Sequence, residues 1–227
     1  MSALFVTGTD TGAGKTAVAC ALARAARRAG ARVRVLKPIE TGCARGADGS
    51  LEAADALALA AAAGDDAPLE RLCTYRLELP AAPEAAAAAE GVSLDLTRIA
   101  DAFALARKDA DLVIVEGAGG LLVPIAPRLD MAGLAARLDL PVVVVARAAL
   151  GTINHTLLTL EAARARGLRV LGVAISHTTA VHSDADRRNL ALLLARLPAR
   201  FLGTLPHGAE ELEGLDGAAL LAQAGSG

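Results

Sequence analysis

The chain lacks a strong charge of either sign. Its 227 residues carry 23 Lys and Arg against 25 Asp and Glu, a formal net charge of -2. A protein that binds nucleic acid or rides an anionic membrane needs a broad basic surface, so neither is expected as a partner; a small polyanion needs only a local positive site. Cysteine is also scarce. Cys20, Cys43 and Cys73 stand far apart, odd in number and without a CxxC pair. That spacing argues against a disulfide framework or a zinc site and suits a reducing cytoplasm. His155, His177, His182 and His207 form no metal-ligand spacing, and the pair His177 and His182 falls in a polar stretch where solvated imidazoles are expected. The most apolar run, LPVVVVARAAL, is broken by Arg147 and is too short to span a bilayer. The opening residues MSALFV lack a basic leader region and read as a strand. No Pro/Ser-rich linker or internal repeat divides the chain. Aromatic residues make up only 2% of it, and alanine-rich strings such as EAAAAAEG are ordinary helices of biased composition.

What is present is a 54% hydrophobic sequence, enough for one medium-sized domain spanning residues 1–227. Six short apolar runs, ALFVTG, ARVRVLKP, ADLVIVEG, LPVVVVAR, LRVLGVAIS and ARFLGTLP, read as strands. Between them, helical patterns cover 15–30, 50–63, 93–109, 130–139, 152–167 and 184–197. Strands this continuously apolar are expected when helices cover both faces of a parallel sheet. The alternation predicts a doubly wound, mostly parallel α/β fold of the P-loop type, with ligands beyond the carboxyl ends of the strands.

The strand ends therefore hold the informative residues. VTGTDTGAGKTAV (6–18) follows the first strand and opens a helix. It resembles a phosphate-binding loop, but five residues separate Gly8 from Gly14 where the usual pattern has four. Backbone N–H groups of Gly12, Ala13, Gly14, Lys15, Thr16 and Ala17 are placed to face phosphate oxygens. Lys15 can reach the β- and γ-phosphates, and the Thr16 hydroxyl can ligate Mg²⁺. Lys37 ends the second strand in KPIETG. Alone it reads as a solvated charge; on the same sheet edge as the loop it can neutralise a transferring phosphoryl group. Asp55 reads either as a helix-surface residue or as a metal ligand, and Glu116, at the end of DLVIVE, as the second acidic group near the metal. Thr16, Asp55 and Glu116 suffice for Mg²⁺, which takes few protein ligands. Gly119 in EGAGG lets backbone approach a nucleotide closely. Gly151-Thr152, before a helical pattern, reads as an ordinary cap or as an anion seat.

The loop closely resembles that of dethiobiotin synthetases, GTDTxxGKT, where the longer interval is normal. The resemblance continues in order through KPIETG, DALALA, PAAPEAAA, VEGAGGLLVPI and LGTINHTLLTLEA, and becomes vague after about Ser176. It implies ATP-dependent joining of CO₂ to 7,8-diaminopelargonic acid, closing a cyclic urea, with Mg²⁺ required. By the same resemblance, Lys37 and Lys15 are catalytic, and Thr11 and Thr41 contact the diamine end. Pro80 begins a substrate-side loop. A homodimer is implied, in which Leu150, Gly151, Thr152 and Asn154 of the second subunit receive the substrate's distal carboxylate. One departure stands out: Ser176-His177 occupy the place where family members often carry the Asn-Asp that reads adenine. Ser cannot make the paired contact of an amide, so other nucleoside triphosphates are open as co-substrates. Switch ATPases of the same superfamily, which carry a Lys near the start of the loop, fit less well, because Thr9, Asp10 and Thr11 stand there. An amidotransferase-like relative requires an added domain for which the chain is too short. A non-enzymatic nucleotide-binding regulator would bind nucleotide without diamine-dependent turnover.

Overall fold

The computed structural model describes residues 2–181 and 183–225; Met1 and His182, read above from sequence, lie outside the described residues, as do Ser226 and Gly227. β1 (Ser2–Gly8) leads through the Gly-rich loop into α1 (Lys15–Arg28). β2 (Val33–Leu36) and β3 (Ile39–Thr41) follow, then a short antiparallel pair, β4 (Ala44–Arg45) and β5 (Leu51–Glu52). Next come α2 (Ala54–Ala63), α3 (Leu69–Leu72), β6 (Tyr75–Leu77), α4 (Pro83–Ala89) and α5 (Leu96–Arg107). The long β7 (Leu112–Gly120) precedes a second antiparallel pair, β8 (Pro124–Ala126) and β9 (Leu129–Asp130), and then α6 (Met131–Arg137). Strict alternation closes the chain: β10 (Val142–Arg147), α7 (Thr152–Ala165), β11 (Val170–Ser176), α8 (Asp184–Arg196), β12 (Phe201–Leu205) and α9 (Gly217–Ala224).

The six runs read as strands are the six strands of the central sheet, all parallel, in the order β12-β11-β10-β1-β7-β2. Chain direction reverses across β1: α1 carries the chain outward to β2, and β10 later pairs on β1's other side. The carboxyl end of β1 is therefore the switch point, where such sheets bind ligands. Alternating side chains fill two layers. Leu4 and Val6 of β1 join Val33 and Val35 of β2 and Ile114 of β7 under α1 and α2. Ala3, Phe5, Leu36, Val113 and Val115 face the opposite layer with Ile99 and Phe103 of α5. Each fully buried aliphatic or aromatic side chain contributes about 1.5–3 kcal/mol. The uninterrupted apolar strands thus follow from burial on both faces.

Most helix ends differ from the sequence expectation by one or two residues, and two helix starts differ by three or more. The helix expected over 50–63 starts only at Ala54. Asp48 accepts the Ser50 N–H (3.0 Å) and hydroxyl (2.7 Å), and Gly46 N–H donates to the Ser50 carbonyl, so a side-chain turn captures that segment for the β4–β5 pair. The helix expected from 93 starts at Leu96, because Asp95 is the N-cap and accepts the Thr97 N–H at 2.8 Å.

Candidate active site

Register assembles the site. Val6 pairs with Glu116 across β1 and β7, and Leu36 pairs with Val115 across β2 and β7. Lys37, the first residue past β2, therefore arrives beside Glu116, whose side chain takes the face opposite Val115, under α1. Phe5 seals the other face: a Cβ at Gly117 would lie 2.8 Å from two of its ring carbons, so the residue after Glu116 has to be glycine.

The phosphate loop enters α1 through Gly14, at φ 89° and without a side-chain cap, leaving the first helical N–H groups to point outward. Glycine is required there twice over. The left-handed conformation disfavours a side chain, and a Cβ would lie 2.2 Å from Ser176 Oγ. Ser176, buried at the end of β11, is thus packed against the loop. Lys15 is buried and folds back along Gly8. Burial, and then the neighbouring Lys37, hold its pKa below the ordinary lysine value.

Lys37 is only 3% exposed. Its Nζ donates to Glu116 Oε1 at 2.6 Å and to Asp55 Oδ2 at 2.9 Å. Burial pulls its pKa down, but the two carboxylates outweigh that and hold the pKa above the ordinary value. Asp55 responds reciprocally: burial pushes its carboxyl up, and the combined pull of Lys37, the Thr16 hydroxyl and Lys15 leaves it below the usual range. Glu116 is fully buried. Its Oε1 also accepts the Thr16 hydroxyl at 2.8 Å, while Oε2 is buried with no hydrogen-bond partner among the described residues.

That donor set fits Mg²⁺: a hydroxyl and two carboxylates, all hard oxygens, with one buried carboxylate oxygen unpaired. Among the described residues no cluster of three or more His, Cys, Asp or Glu is grouped for a metal. A magnesium site that shares its coordination with phosphates and water needs none.

These groups border one cavity of about 430 Å³. Of the residues expected from sequence, Thr11, Gly12, Gly14, Lys15, Thr16, Ala17, Lys37, Thr41, Asp55 and Gly119 line it. Ala13 is buried behind the loop, and Glu116 lies beneath. Leu150, Gly151, Thr152 and Asn154 do not border it: Leu150 is 77% exposed and Thr152 is buried at the start of α7. Pro80 packs across from Gly42 at the rim, 3.3 Å from where a Cβ of Gly42 would sit.

Two lining residues were missed by sequence reasoning, Ala118 and Glu40. Glu40 is buried, and its carboxylate accepts the N–H groups of Asp55 (2.9 Å) and Ala56 (3.0 Å) at the start of α2. Burial pushes its pKa up, against those two hydrogen bonds. The one signal available in sequence was a carboxylate beside Ile39 in KPIETG, three residues after Lys37.

A parallel sheet with a Gly-Lys-Thr loop at its switch point, a lysine folded back along that loop and a Thr–carboxylate set beside it define a P-loop NTPase-like protein. Solved structures agree at the level of fold: the MinD cell division protein of Aquifex aeolicus superposes with TM-score 0.53 at 13% identity, covering 99% of this chain and 95% of that one. The signal recognition particle receptor FtsY of Elizabethkingia anophelis gives 0.56 at 14%, covering 98% and 65%. The model of an AAA domain family matches residues 2–212. Curated relatives carry the name ATP-dependent dethiobiotin synthetase BioD. That of Anaeromyxobacter dehalogenans (strain 2CP-C) is 53% identical over 179 residues, 78% of each chain; that of Aromatoleum aromaticum is 47% identical over 205 residues, 90% of each; that of Xylella fastidiosa (strain 9a5c) is 42% identical over 207 residues, 91% of each. The chain belongs to the ATP-dependent dethiobiotin synthetase family.

Proposed function

We propose that this chain is an ATP-dependent ligase that carboxylates 7,8-diaminopelargonic acid with CO₂ and closes the ring to dethiobiotin, releasing ADP and phosphate. The observation that carries the reading is Lys37, a buried ammonium bonded to both Asp55 and Glu116 in the cavity of the phosphate loop. One amine of the substrate adds to CO₂ and loses a proton, giving a carbamate. A carbamate oxygen then attacks the γ-phosphorus, and the bond to the ADP oxygen breaks. The second amine attacks the carbamoyl carbon of the resulting carbamic-phosphoric anhydride and expels phosphate.

Phosphoryl transfer needs positioning and charge stabilisation more than covalent help. The N–H groups from Gly12 to Ala17 seat the phosphates. Lys15 balances charge on the β- and γ-phosphates, and Lys37 that on the oxygens of the group in flight. Thr16, Asp55 and Glu116 would hold Mg²⁺, which when bound would screen phosphate charge. Thr11 and Thr41, exposed and half-buried at the cavity mouth, offer hydroxyls to the diamine and carbamate end. Gly119 brings β7 backbone close to the nucleotide.

The chain acts as one P-loop α/β domain and pairs as a homodimer. The start of α7, where Gly151 has φ 92° and no side-chain cap, supplies Leu150, Gly151, Thr152 and Asn154 to the distal carboxylate in the partner's site. That segment does not border its own chain's cavity, which supports the dimer reading. The three unpaired, buried cysteines support a cytoplasmic setting, and no helix among the described residues is long and apolar enough to cross a membrane. Other nucleoside triphosphates are admitted beside ATP, because Ser176 is turned into the phosphate loop.

The test is phosphate release with Mg-ATP and bicarbonate, with and without the diamine, with CTP and GTP in parallel. Diamine-dependent release matched by dethiobiotin formation is expected. Hydrolysis indifferent to the diamine with every nucleotide would reject the reading.

A further inference from the structure

We propose that Glu40 is a positioning residue for the metal centre: its carboxylate closes the base of the excursion from Gly42 to Ala53 and fixes Asp55 relative to Lys37. The assignment rests on Asp55 being a metal ligand, as above. Lys37 and Glu40 lie on one short segment, β3 and the turn before it, and Asp55 lies on α2 beyond the β4–β5 pair. That pair is largely exposed. The helix start is otherwise uncapped: Ala53 stands at the N-cap and has no side-chain acceptor. Glu40 supplies the missing acceptors from a distance, Oε1 taking the N–H of Asp55 itself and Oε2 that of Ala56.

Both partners are donors, so the group between them must be acceptor-only. An ionised carboxylate is; an amide is not, because its NH₂ would face one of the two N–H groups. Glu40→Gln therefore releases one side of the clamp while keeping the residue's shape. Asp55 carries the clamp to the metal set: its backbone is held by Glu40 and its side chain by Lys37. Groups that orient metal ligands from behind change metal affinity by about 10–100-fold when replaced.

The experiment follows Mn²⁺ binding by electron paramagnetic resonance in the presence of a non-hydrolysable ATP analogue, on wild type, Glu40→Gln and Glu40→Asp. Nucleotide affinity is read separately without metal. Glu40→Gln is expected to weaken Mn²⁺ binding by about 10-fold or more with metal-free nucleotide affinity unchanged. The shift in Glu40→Asp, which keeps two acceptors on a shorter stem and retains the fold if the amide does not, should be smaller. In turnover, excess Mg²⁺ should restore kcat in Glu40→Gln, which a general loss of structure would not allow. Unchanged Mn²⁺ affinity in both variants, or equal loss of Mn²⁺ and metal-free nucleotide binding, overturns the assignment. Because binding is read without the diamine, a wild type that binds Mn²⁺ and nucleotide but makes no dethiobiotin would count against the proposed reaction and leave the Glu40 result standing.

Discussion

Replacing Lys37 by alanine removes the ammonium that joins Asp55 to Glu116, and the structure separates its effect on stability from its effect on turnover. Asp55 has a half-open side chain, 43% exposed, and can take up water when the lysine is gone. Glu116 cannot: it is fully buried, its Oε2 is already unpaired, and it keeps only the Thr16 hydroxyl. Breaking a buried pair by removing one partner costs about 3–5 kcal/mol, and the hydration open to Asp55 puts this case near 3 kcal/mol. For a chain of this size that is a fall in Tm of about 6–12 °C.

The pH dependence follows from the raised pKa of Lys37. A lysine held above its ordinary value contributes stability that is complete below 10.5 and is lost only as pH climbs through the folded value. The gap in Tm between wild type and variant should therefore stay constant through the neutral range, narrow in strong alkali as Lys37 loses its proton, and narrow in acid as Asp55, whose pKa is lowered by the pair, takes one up. Turnover should fall by about 10²–10³-fold, the usual loss for one preorganised charge-stabilising group. The assays are thermal melts across pH, circular dichroism to confirm folding, and coupled ADP release with saturating diamine. A folded variant with wild-type kcat would remove Lys37 from the mechanism, and a Tm within about 2 °C of wild type would refute the buried-pair argument.

The other two perturbations concern the phosphate loop. Lys15 has a pKa lowered by burial and by Lys37, so between its folded value and 10.5 the unfolded state binds more protons, and holding Lys15 charged at neutral pH costs stability. Lys15→Met should therefore match or exceed wild type in nucleotide-free Tm at pH 7.5 while losing ATP affinity by isothermal titration; a clearly lower Tm would contradict it. Gly14→Ala adds the strain of φ 89°, about 1–2 kcal/mol, to a contact of 2.2 Å with Ser176 Oγ. Its loss of nucleotide affinity, read by anisotropy of a fluorescent ATP analogue, should be relieved only in part by Ser176→Gly, which clears the contact and leaves the strain. Wild-type affinity in Gly14→Ala alone would show that the loop rearranges freely.

Legibility in the sequence divides along chemical distance. The strands were readable because burial on both faces leaves unbroken runs such as VVVVA, and the loop because its chemistry is local: strand, glycines, Lys15, Thr16 and helix are contiguous. Lys37, Asp55 and Glu116 were readable as candidates because they stand at strand ends or in a segment matching the family. Their mutual bonds were not, since those depend on the registers Leu36–Val115 and Val6–Glu116. Glu40 was passed over because the N–H groups it caps belong to residues far along the chain, past the β4–β5 pair. Ser50 was assigned to a helix because nothing in the periodicity reveals that Asp48 captures its backbone. Ser176 was read as an altered base contact; the sequence holds no sign that its hydroxyl packs against Gly14.

The charges at the site explain why these long-range contacts matter. Lys15 and Lys37 set two positive charges against the carboxylates of Asp55 and Glu116, in a cavity that stays open to water on the Asp55 side. A pair at about 4 Å in such surroundings interacts by about 4 kcal/mol, enough to hold the lysine on the carboxylates until a stronger acceptor arrives. A phosphate group supplies that acceptor, so Lys37 can serve a transferring phosphoryl group only by loosening its hold on Asp55 and Glu116. Glu116 stays in place when that happens, because β7 lies between β1 and β2 in the sheet. Asp55 has no sheet behind it. Its position after Lys37 turns away depends on the start of α2, and that start is held to the Lys37 segment by the Glu40 carboxylate. The same arrangement accounts for a costly feature: a second buried acid within reach of the metal set is tolerated because both its oxygens are occupied by backbone donors.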